Sequence, residues 1–429
     1  MFVTNAQAQW QLLSLGATNS AYKINDLCFV NDSVGFAGCW LDDGSPGAIF
    51  KTTDGALSWT KTEFPNSIKD VDFISADTGY AVGIAGRVYR TVDQGNSWQL
   101  HNTLSPWWDL RSIDFGPGGV SYIGSSAAFC SFCYDSVLVL LRSHDGWQTF
   151  EPVALPDSLL TNPWAQLYKV WHLNADTFFV VSVNSVYRTT DGGLTYDYDP
   201  VWGNSYTAFL DLFFNPSSQT LYLAGRANAD ATNQMGALHR SEDYGATWQE
   251  IPPPLAWLGW DTLAWLYEGH FVSAQVGYVA GGEKWWGGSA EDAGIMMTTD
   301  GGLTWKDDPT EGNHALIFFA LECPSPQVCY AGGYNGVVMK KTDAALLTSV
   351  EKARPGSGVT LYPNPVIDIL HHQSSEPLKG LSIYNVCGQC VLVPPIRSNE
   401  IDVSRLTPGV YILEITTDST RVRQRFVKI

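Results

Sequence analysis

A short turn motif recurs along the chain, and it limits the possible folds more than any other feature. Its pattern is Ser/Thr-x-Asp-x-Gly-x-Ser/Thr-Trp, with successive aspartates 39–57 residues apart. The aspartates are Asp54, Asp93, Asp145, Asp191, Asp243, Asp300 and, in a degenerate copy, Asp343. This period suits one four-stranded blade of a β-propeller, so seven copies predict a seven-bladed ring.

Each repeat also contains short apolar strands before the turn and an aromatic residue after it. In the first repeat the strands are "INDLCFV", "GFAGCW" and "AIFKTTD", and Trp59 follows the turn. Strands this short must stack against neighbouring repeats to bury both of their faces. The predicted fold class is therefore all-β.

The two ends of the repeat region complement each other. The last repeat ends near Leu347 without a fourth strand, whereas residues 9–15, "QWQLLSL", resemble a fourth strand with no other three before it. We expect this N-terminal strand to complete the seventh blade, because that pairing closes the ring and removes its open edges. The predicted propeller spans residues 9–347.

The turn motif resembles the Asp-box of the BNR-repeat and sialidase-like propellers. Clean copies surround Asp54, Asp93, Asp243 and Asp300. Tyr196 replaces the Trp in the fourth copy, and the third copy, around Asp145, reads as shifted. An aspartate in a tight turn accepts backbone N–H bonds, a glycine takes the positive φ, and the aromatic fills the seam between blades. We interpret the turn aspartates as scaffold, with metal or ligand binding as the alternative.

The segment after the repeats has a different character. Residues 348–358 are a linker by composition, and residues 359–429 contain Tyr362-Pro363-Asn364-Pro365, a hairpin around Gly388, and Pro408-Gly409-Val410-Tyr411. These pieces closely resemble the type A C-terminal sorting domain of proteins exported by the type IX secretion system of Bacteroidota. The resemblance implies a small β-sandwich that the outer-membrane translocon reads, after which the cargo is attached to the cell surface or released.

The start of the chain agrees with export through the periplasm. Ala6 and Ala8 occupy the small positions of a signal-peptidase site, so residues 1–8 are predicted to be the end of a signal peptide. Gln9 then becomes the first mature residue. The chain has no apolar run near the ~20 residues that a membrane span needs.

The chain is acidic, with a formal net charge of −18, and nearly all of that charge lies on residues 1–354. Such a body repels phosphate backbones, which disfavours nucleic acid and anionic lipid as partners. Neutral glycans, cations and basic proteins remain as candidate ligands.

Eight cysteines fall into four close pairs. They are Cys28/Cys39, Cys130/Cys133, Cys323/Cys329 and Cys387/Cys390. Two of the pairs have the CxxC spacing of zinc ligands, but no His or further Cys follows in register. Local disulfides are therefore favoured over zinc, and they are typical of an extracytoplasmic protein.

Tryptophans gather in the loops that lie on the face opposite the repeated turns. The candidate ligand-binding residues there are Trp107, Trp108, Asp109, Trp257, Trp260, Asp261, Glu283, Trp285 and Trp286. Trp40, Asp42, Asp43, Arg111, Trp164, Trp202 and Trp265 belong to loops of the same face. Flat apolar rings beside carboxylates suit sugars, so a glycan-binding face is predicted. The alternative is that these rings pack on one another as small satellite cores.

A second set of candidates lies on the first strand of each blade, at the mouth of the central channel. Aligning those strands on their aromatic residues gives Asp26, Asp70, Ser112, Tyr168, Asp211 and Glu268 comparable positions. The candidate catalytic residues are Asp26, Asp70, Asp211 and Glu268, since a carboxylate pair ~5–10 Å apart can hydrolyse a glycosidic bond. Cation binding by an acidic ring and simple solvated strand starts are the alternatives.

Three functions follow from these patterns. The prediction is a secreted or surface-attached protein that binds a glycan or a protein through the tryptophan-rich face. A glycoside hydrolase acting on a neutral polysaccharide is the first alternative. A protein-assembly scaffold is the second, because residues 79–98 also resemble the photosystem II assembly-factor family. No cofactor or metal is predicted, and the lack of a Ser-His-Asp, Cys-His or phosphate-loop pattern favours a non-enzyme.

Overall fold

The computed structural model divides the chain into two compact units, residues 1–346 and 347–429, and each is described by itself. The residues that the structure describes are 10–19, 21–41, 46–116, 119–127, 138–160, 166–174, 176–182, 185–199, 208–228, 234–251, 264–283, 293–308, 317–342, 359–362, 366–374, 378–385, 390–392, 394, 399–406, 409–417 and 421–428.

The first unit consists of seven four-stranded antiparallel sheets. The first strand of the chain is β1 (Trp10–Ser14). Blade 1 contains β2 (Lys23–Phe29), β3 (Gly35–Trp40), β4 (Gly47–Thr52) and β5 (Thr60–Phe64). Blade 2 contains β6 (Ile68–Phe73), β7 (Gly79–Gly83), β8 (Arg87–Thr91) and β9 (Gln99–Thr103). Blade 3 contains β10 (Trp108–Phe115), β11 (Ser121–Ala127), β12 (Leu140–Ser143) and β13 (Glu151–Val153).

The remaining blades repeat this order. Blade 4 follows helix α1 (Asp157–Leu160) and contains β14 (Leu167–His172), β15 (Phe178–Ser182), β16 (Ser185–Thr189) and β17 (Asp197–Asp199). Blade 5 contains β18 (Ala208–Asn215), β19 (Thr220–Asn228), β20 (Gln234–Ser241) and β21 (Gln249–Ile251). Blade 6 contains β22 (Ala264–Phe271), β23 (Gly277–Glu283), β24 (Ala293–Thr298) and β25 (Lys306–Asp307). Blade 7 contains β26 (Phe318–Ser325), β27 (Val328–Gly333), β28 (Val337–Thr342) and, as its fourth strand, β1.

The first strands of the blades surround the central channel of a closed propeller, and we call them the inner strands. Each contacts the first strand of the next blade, from β2 against β6 to β26 against β2. The predicted seven-bladed fold is confirmed, and so is its closure by the N-terminal strand. β1 pairs antiparallel with β28, and Leu13 lies opposite Val338.

The repeated turns have the same hydrogen-bond pattern in all six described copies. One carboxylate oxygen of the aspartate accepts from the Ser or Thr hydroxyl two residues earlier at 2.7–3.0 Å, and the other accepts from the hydroxyl four residues later at 2.5–2.6 Å. The third copy follows the same register, so the expected shift around Asp145 is wrong. Asp343, in the degenerate copy, lies outside the described residues.

What distinguishes the third turn is the identity of two residues. Trp147 takes the positive φ, at 64°, that Gly95 has in the second turn, and it is fully buried in the seam between blades 2 and 3. Phe150 stands where the motif has its tryptophan, and it is exposed. The seam therefore receives its aromatic ring from a different position of the turn.

The second unit is a small sandwich of two sheets. One sheet has the order β29 (Val359–Tyr362), β30 (Ile369–Ser374), β33 (Glu400–Asp402), and the other has the order β32 (Cys390–Leu392), β31 (Leu378–Asn385), β34 (Gly409–Thr417), β35 (Arg421–Lys428). Both sheets contribute to one apolar core, for example Leu370 and Ile401 from the first and Ile383 and Leu413 from the second. The predicted β-sandwich is confirmed.

The cysteine prediction is correct for one pair and wrong for another. Cys323 and Cys329 form a disulfide between β26 and β27. Cys28 and Cys39 are free thiols, because Cys39 lies opposite Ile24 and Cys28 lies opposite Phe36 in the β2–β3 ladder. On β3 three residues separate Cys39 from Phe36, the partner of Cys28, roughly 10 Å at 3.3 Å per residue, which is too far for a disulfide. The side chains of Cys130, Cys133, Cys387 and Cys390 lie outside the described residues.

Candidate functional site

All seven inner strands contain a β-bulge at the same place. In each of them the pairing with the second strand skips one residue, as between Ile24 and Asp26 in blade 1. The skipped residues are Asn25, Lys69, Arg111, Tyr168, Leu210, Tyr267 and Phe319. A bulge re-aims its side chain out of the regular alternation, and here it does so around a common axis.

The seven bulge residues line one cavity of about 430 Å³. Trp40 and Trp265 complete its rim, and we call these nine residues the channel mouth. The mouth lies near the starts of the inner strands, on the side that carries the loops between second and third strands and between blades. The repeated turns follow the third strands and lie on the opposite side. This arrangement places the cavity on the face that the sequence singled out for its tryptophans.

The residue after each bulge forms a second layer, which we call the inner ring. Its members are Asp26, Asp70, Ser112, Lys169, Asp211, Glu268 and Ala320. The sequence alignment gave Tyr168 as the blade 4 member. That assignment is wrong by one residue, because Tyr168 occupies the bulge and Lys169 occupies the ring.

The four candidate catalytic carboxylates each bind the backbone of the following blade. Val71 N–H donates to Asp26 at 2.9 Å, and Ile113 N–H donates to Asp70 at 2.7 Å. Gly269 N–H donates to Asp211 at 3.0 Å, and Leu321 N–H donates to Glu268 at 2.8 Å. Ser112 does the same with its hydroxyl, which accepts from Val170 N–H at 3.3 Å. These contacts latch neighbouring blades together around the channel.

Asp26 and Asp70 are buried carboxyl groups on adjacent inner strands, and their titrations influence each other. Burial raises the pKa of Asp26, and the Asp70 and Glu268 charges raise it further. Burial also raises the pKa of Asp70, although Lys169 and the Ile113 N–H act in the opposite direction. Two buried carboxyl groups that interact in this way disfavour the ionisation of both at once.

Lys169 forms the cationic part of the inner ring. Its ammonium lies 3.6 Å from an oxygen of Asp211 and 3.5 Å from an oxygen of Glu268. Burial disfavours its charge, but the surrounding carboxylates outweigh that effect and raise the pKa of Lys169 well above its usual range. Burial is also the main cause of the raised pKa of Glu268. The ring is thus a mixed ionic layer rather than a purely acidic one.

The channel mouth combines aromatic rings with cations. Along blades 6 and 7, Tyr267 stacks with Trp265 at 6.0 Å between centroids and meets Phe319 edge to face at 4.9 Å. Arg226 lies 4.0 Å from the Trp265 ring, and the ammonium of Lys69 lies 4.9 Å from the Trp40 ring. The mouth therefore offers an aromatic wall along blades 6 and 7, with one cation at Trp265 and another at Trp40.

The loop residues that were predicted to bind a ligand differ in exposure and position. Trp107 is 65% exposed, directly before inner strand β10, on the face of the cavity. Trp108 packs against the core between blades 2 and 3, and Asp109 is buried with an oxygen 2.9 Å from Arg111 Nε. Trp257, Trp260, Asp261, Trp285, Trp286 and the side chain of Glu283 lie outside the described residues.

Several mouth residues were missed in the sequence, chiefly Lys69, Tyr267 and Phe319. A signal for them existed. Regular strands alternate apolar and polar residues, but the inner strands read apolar-x-x-apolar, as in Ile68-Lys69-Asp70-Val71. Two residues between buried positions mark a bulge, and the first of them faces the cavity. In the part of the chain that the structure describes, no group of three His, Cys, Asp or Glu is arranged to hold a metal ion.

The comparisons with known proteins divide at the same point as the fold. Residues 360–429 match the family described as the secretion system C-terminal sorting domain. The second unit is a sorting domain. It indicates secretion to the cell surface or the extracellular space. Within the described residues, no helix has the length and apolar character to cross a membrane.

The propeller is similar to proteins with different activities. The photosystem II assembly lipoprotein Ycf48 of Prochlorococcus marinus (strain MIT 9313) is 22% identical over 178 residues, which is 41% of this chain and 49% of that protein. The chain thus spans about half the length of this curated relative. The structure of YCF48 bound to a D1 peptide has a TM-score of 0.57 at 16% identity, covering 78% of this chain and 97% of the other. The structure of the xyloglucanase from Xanthomonas campestris has a TM-score of 0.55 at 15% identity, covering 95% of this chain and 59% of the other. At these identities the solved structures show the fold alone.

Proposed function

We propose that the chain is a secreted or cell-surface binding protein that binds a carbohydrate at the channel mouth. The observation that carries this proposal is the set of five aromatic side chains around one open cavity. They are Trp40, Tyr168, Trp265, Tyr267 and Phe319, and they come from four different blades. The cavity volume of about 430 Å³ lies within the range of small-ligand sites.

The chemistry of the wall suits a sugar. Aromatic faces stack against the CH faces of pyranose rings, and the carboxylates, amide and ammonium groups below them can bind hydroxyls. Asn25, Asp70 and Lys169 also line the cavity. A ligand that enters between Tyr168 and Phe319 thus contacts aromatic rings at the mouth and the polar groups of Asp70 and Lys169 in the layer below.

Hydrolysis is less well supported than binding. A retaining glycosidase holds its two carboxyl groups about 5 Å apart, and an inverting one holds them further apart. Each of the four candidate acids has a carboxylate oxygen that is already bound to the backbone of the next blade. Their geometry favours a structural role in joining the blades.

Glycan-array binding of the purified full chain, followed by titration calorimetry on the best ligand, tests the proposal. Tyr168→Ala should weaken binding by about tenfold, since one stacked ring contributes on the order of 1 kcal/mol. Tyr244→Ala is the matched control, because Tyr244 lies in a repeated turn on the opposite face. Equal effects of the two variants, or an array on which the wild type binds nothing, would reject the proposal. Release of reducing sugar by the wild type would instead identify a hydrolase.

A further inference from the structure

Lys69 stands out among the residues of the channel mouth because its ammonium has no ion-pair partner within the part of the chain that the structure describes. The residue is half-buried at the bulge of β6, and its ammonium lies over the Trp40 ring. No carboxylate among the described residues forms an ion pair with this ammonium at 4 Å or less. A cation–π contact alone compensates only part of the cost of burying a cation.

Asp109, the carboxylate whose charge acts on Lys69, is paired with another residue. Asp109 lies 2.9 Å from Arg111, which occupies the equivalent bulge in the next blade. Burial lowers the pKa of Lys69 to about 8, with Asp109 opposing that effect and Arg111 adding to it. The cavity rim therefore carries a partly buried ammonium at the blade 2 bulge and the Arg111 guanidinium at the blade 3 bulge.

We infer that the channel mouth binds the anionic group of an acidic polysaccharide, a uronate carboxylate or a sulfate ester, with Lys69 as its ion-pair partner. This inference rests on the proposed carbohydrate-binding function and specifies its substrate class. The aromatic wall of Trp265, Tyr267 and Phe319 holds the sugar ring, and the charged substituent points to blades 2 and 3.

The layering of charge fixes the depth at which the anion binds. One residue further along the inner strands lie Asp26 and Asp70, which repel a second anion. The carboxylate or sulfate therefore stays at the rim, and only hydroxyl groups reach the inner ring. The formal charge of −18 also disfavours densely charged polyanions, so a glycan with spaced anionic groups is the better fit.

The first experiment compares ligands that differ only in charge. An oligosaccharide in which uronate alternates with neutral sugars and its carboxyl-reduced, neutral counterpart form one matched pair. A sparsely sulfated oligosaccharide and its desulfated form make another. The wild-type full chain should bind the charged member of at least one pair about tenfold more tightly. The pair that shows the difference identifies carboxylate or sulfate as the recognised group. Equal binding of charged and neutral members in both pairs overturns the inference but leaves carbohydrate binding intact.

The second experiment removes the cation. Lys69→Gln should lose the preference for the charged ligand and keep its affinity for the neutral one, whereas Lys69→Arg should retain the preference. Lys306→Gln is the matched control, since Lys306 is exposed on the outer strand of blade 6. A loss of preference that is equal in Lys69→Gln and Lys306→Gln would mean that only the overall charge matters, and the inference would be wrong.

A direct measurement on Lys69 is independent of affinity. The chemical shift of its side chain, followed by NMR against pH, should give a pKa near 8 in the free protein. Saturation with the charged ligand should raise that pKa, because an adjacent anion stabilises the ammonium form, and the neutral ligand should not. An unchanged pKa with the charged ligand bound would place the anion elsewhere. Failure of every glycan to bind would reject the proposed function itself.

Discussion

The carboxylate of Asp308 accepts a hydrogen bond from the indole N–H of Trp10 at 2.8 Å, across 298 residues of chain. The ammonium of Lys341 lies 2.6 Å from the same oxygen and near the Trp10 ring. Trp10 is fully buried and meets Tyr278 of blade 6 edge to face. One residue of the first strand is thereby held by blades 6 and 7 together.

Removal of this contact should open the ring. Trp10→Ala should lower the free energy of unfolding by about 3–5 kcal/mol, because it empties a buried site and leaves Asp308 without its indole partner. Urea unfolding followed by tryptophan fluorescence and circular dichroism measures the loss. Leu12→Ala, at a 44%-exposed position on the same strand, should change stability by no more than ~0.5 kcal/mol. Similar losses in both variants would contradict the closure mechanism.

Stability should be greatest at mildly acidic pH. Burial and the neighbouring carboxylates raise the pKa of Asp72 to about 7, so between pH ~4 and 7 the folded chain binds more protons than the unfolded one. Stability then falls as the pH rises through this window. Hydrogen bonds lower the pKa of Asp54 to about 2, so below pH ~4 the unfolded chain binds more protons and stability falls again.

Melting temperatures across pH 3–8 check this profile. Two variants test which carboxyl groups cause the loss of stability towards neutral pH. Asp70→Asn removes a carboxyl whose own pKa is raised and whose charge raises the pKa of Asp72, so the fall in melting temperature between pH 5 and 7 should become smaller. Asp77→Asn, at an exposed position, should leave the slope unchanged. A wild-type stability that rises steadily from pH 4 to 8 would contradict the assignment.

The inner ring should matter for stability as a set of latches between blades. The side chain of Asp211 is only 3% exposed, and its loss in Asp211→Ala leaves Gly269 N–H without its acceptor. We expect a cost of about 2–3 kcal/mol in the free energy of unfolding. Asp211→Asn keeps an acceptor for that N–H and should cost clearly less. Equal costs would show that the charge next to Lys169, and not the hydrogen bond, is what matters.

Alkylation without prior reduction should separate the cysteines of the propeller. In the unfolded chain, iodoacetamide should modify Cys28 and Cys39, whereas Cys323 and Cys329 should remain linked until a reductant is added. Peptide mapping by mass spectrometry gives the result directly. A peptide that links Cys28 to Cys39 would contradict the register of the β2–β3 ladder.

The fold could be predicted from the sequence because its constraints are local and repeated. The turn around Asp54 needs a hydroxyl, a carboxylate and a residue of positive φ at fixed spacing, and the sequence pattern shows all three. Closure by Trp10 followed from a strand missing at one end and surplus at the other. Trp147 shows the limit of such patterns. Its turn was predicted to be shifted, but the turn keeps its register, and only the position that supplies the aromatic ring between the blades has changed.

The site was predicted less well because its residues depend on a departure from strand periodicity. Alignment on aromatic residues gave the correct ring position for Asp26 and Asp70 but failed at Tyr168, where the bulge residue is itself aromatic. The Cys28–Cys39 pairing failed for a related reason, since proximity in sequence does not give the register of a ladder. The charges that surround Lys69 could not be predicted, because they include residues of the neighbouring blade that no local sequence pattern reveals.

The bulges also have a consequence for how such a protein can diversify. A bulge residue such as Leu210 makes no cross-strand pair, so its replacement leaves the hydrogen-bonded ladder of its blade unchanged. Seven such sites point at one opening, each carried by an independent module. Single substitutions at these positions can therefore change ligand preference while the propeller fold stays the same.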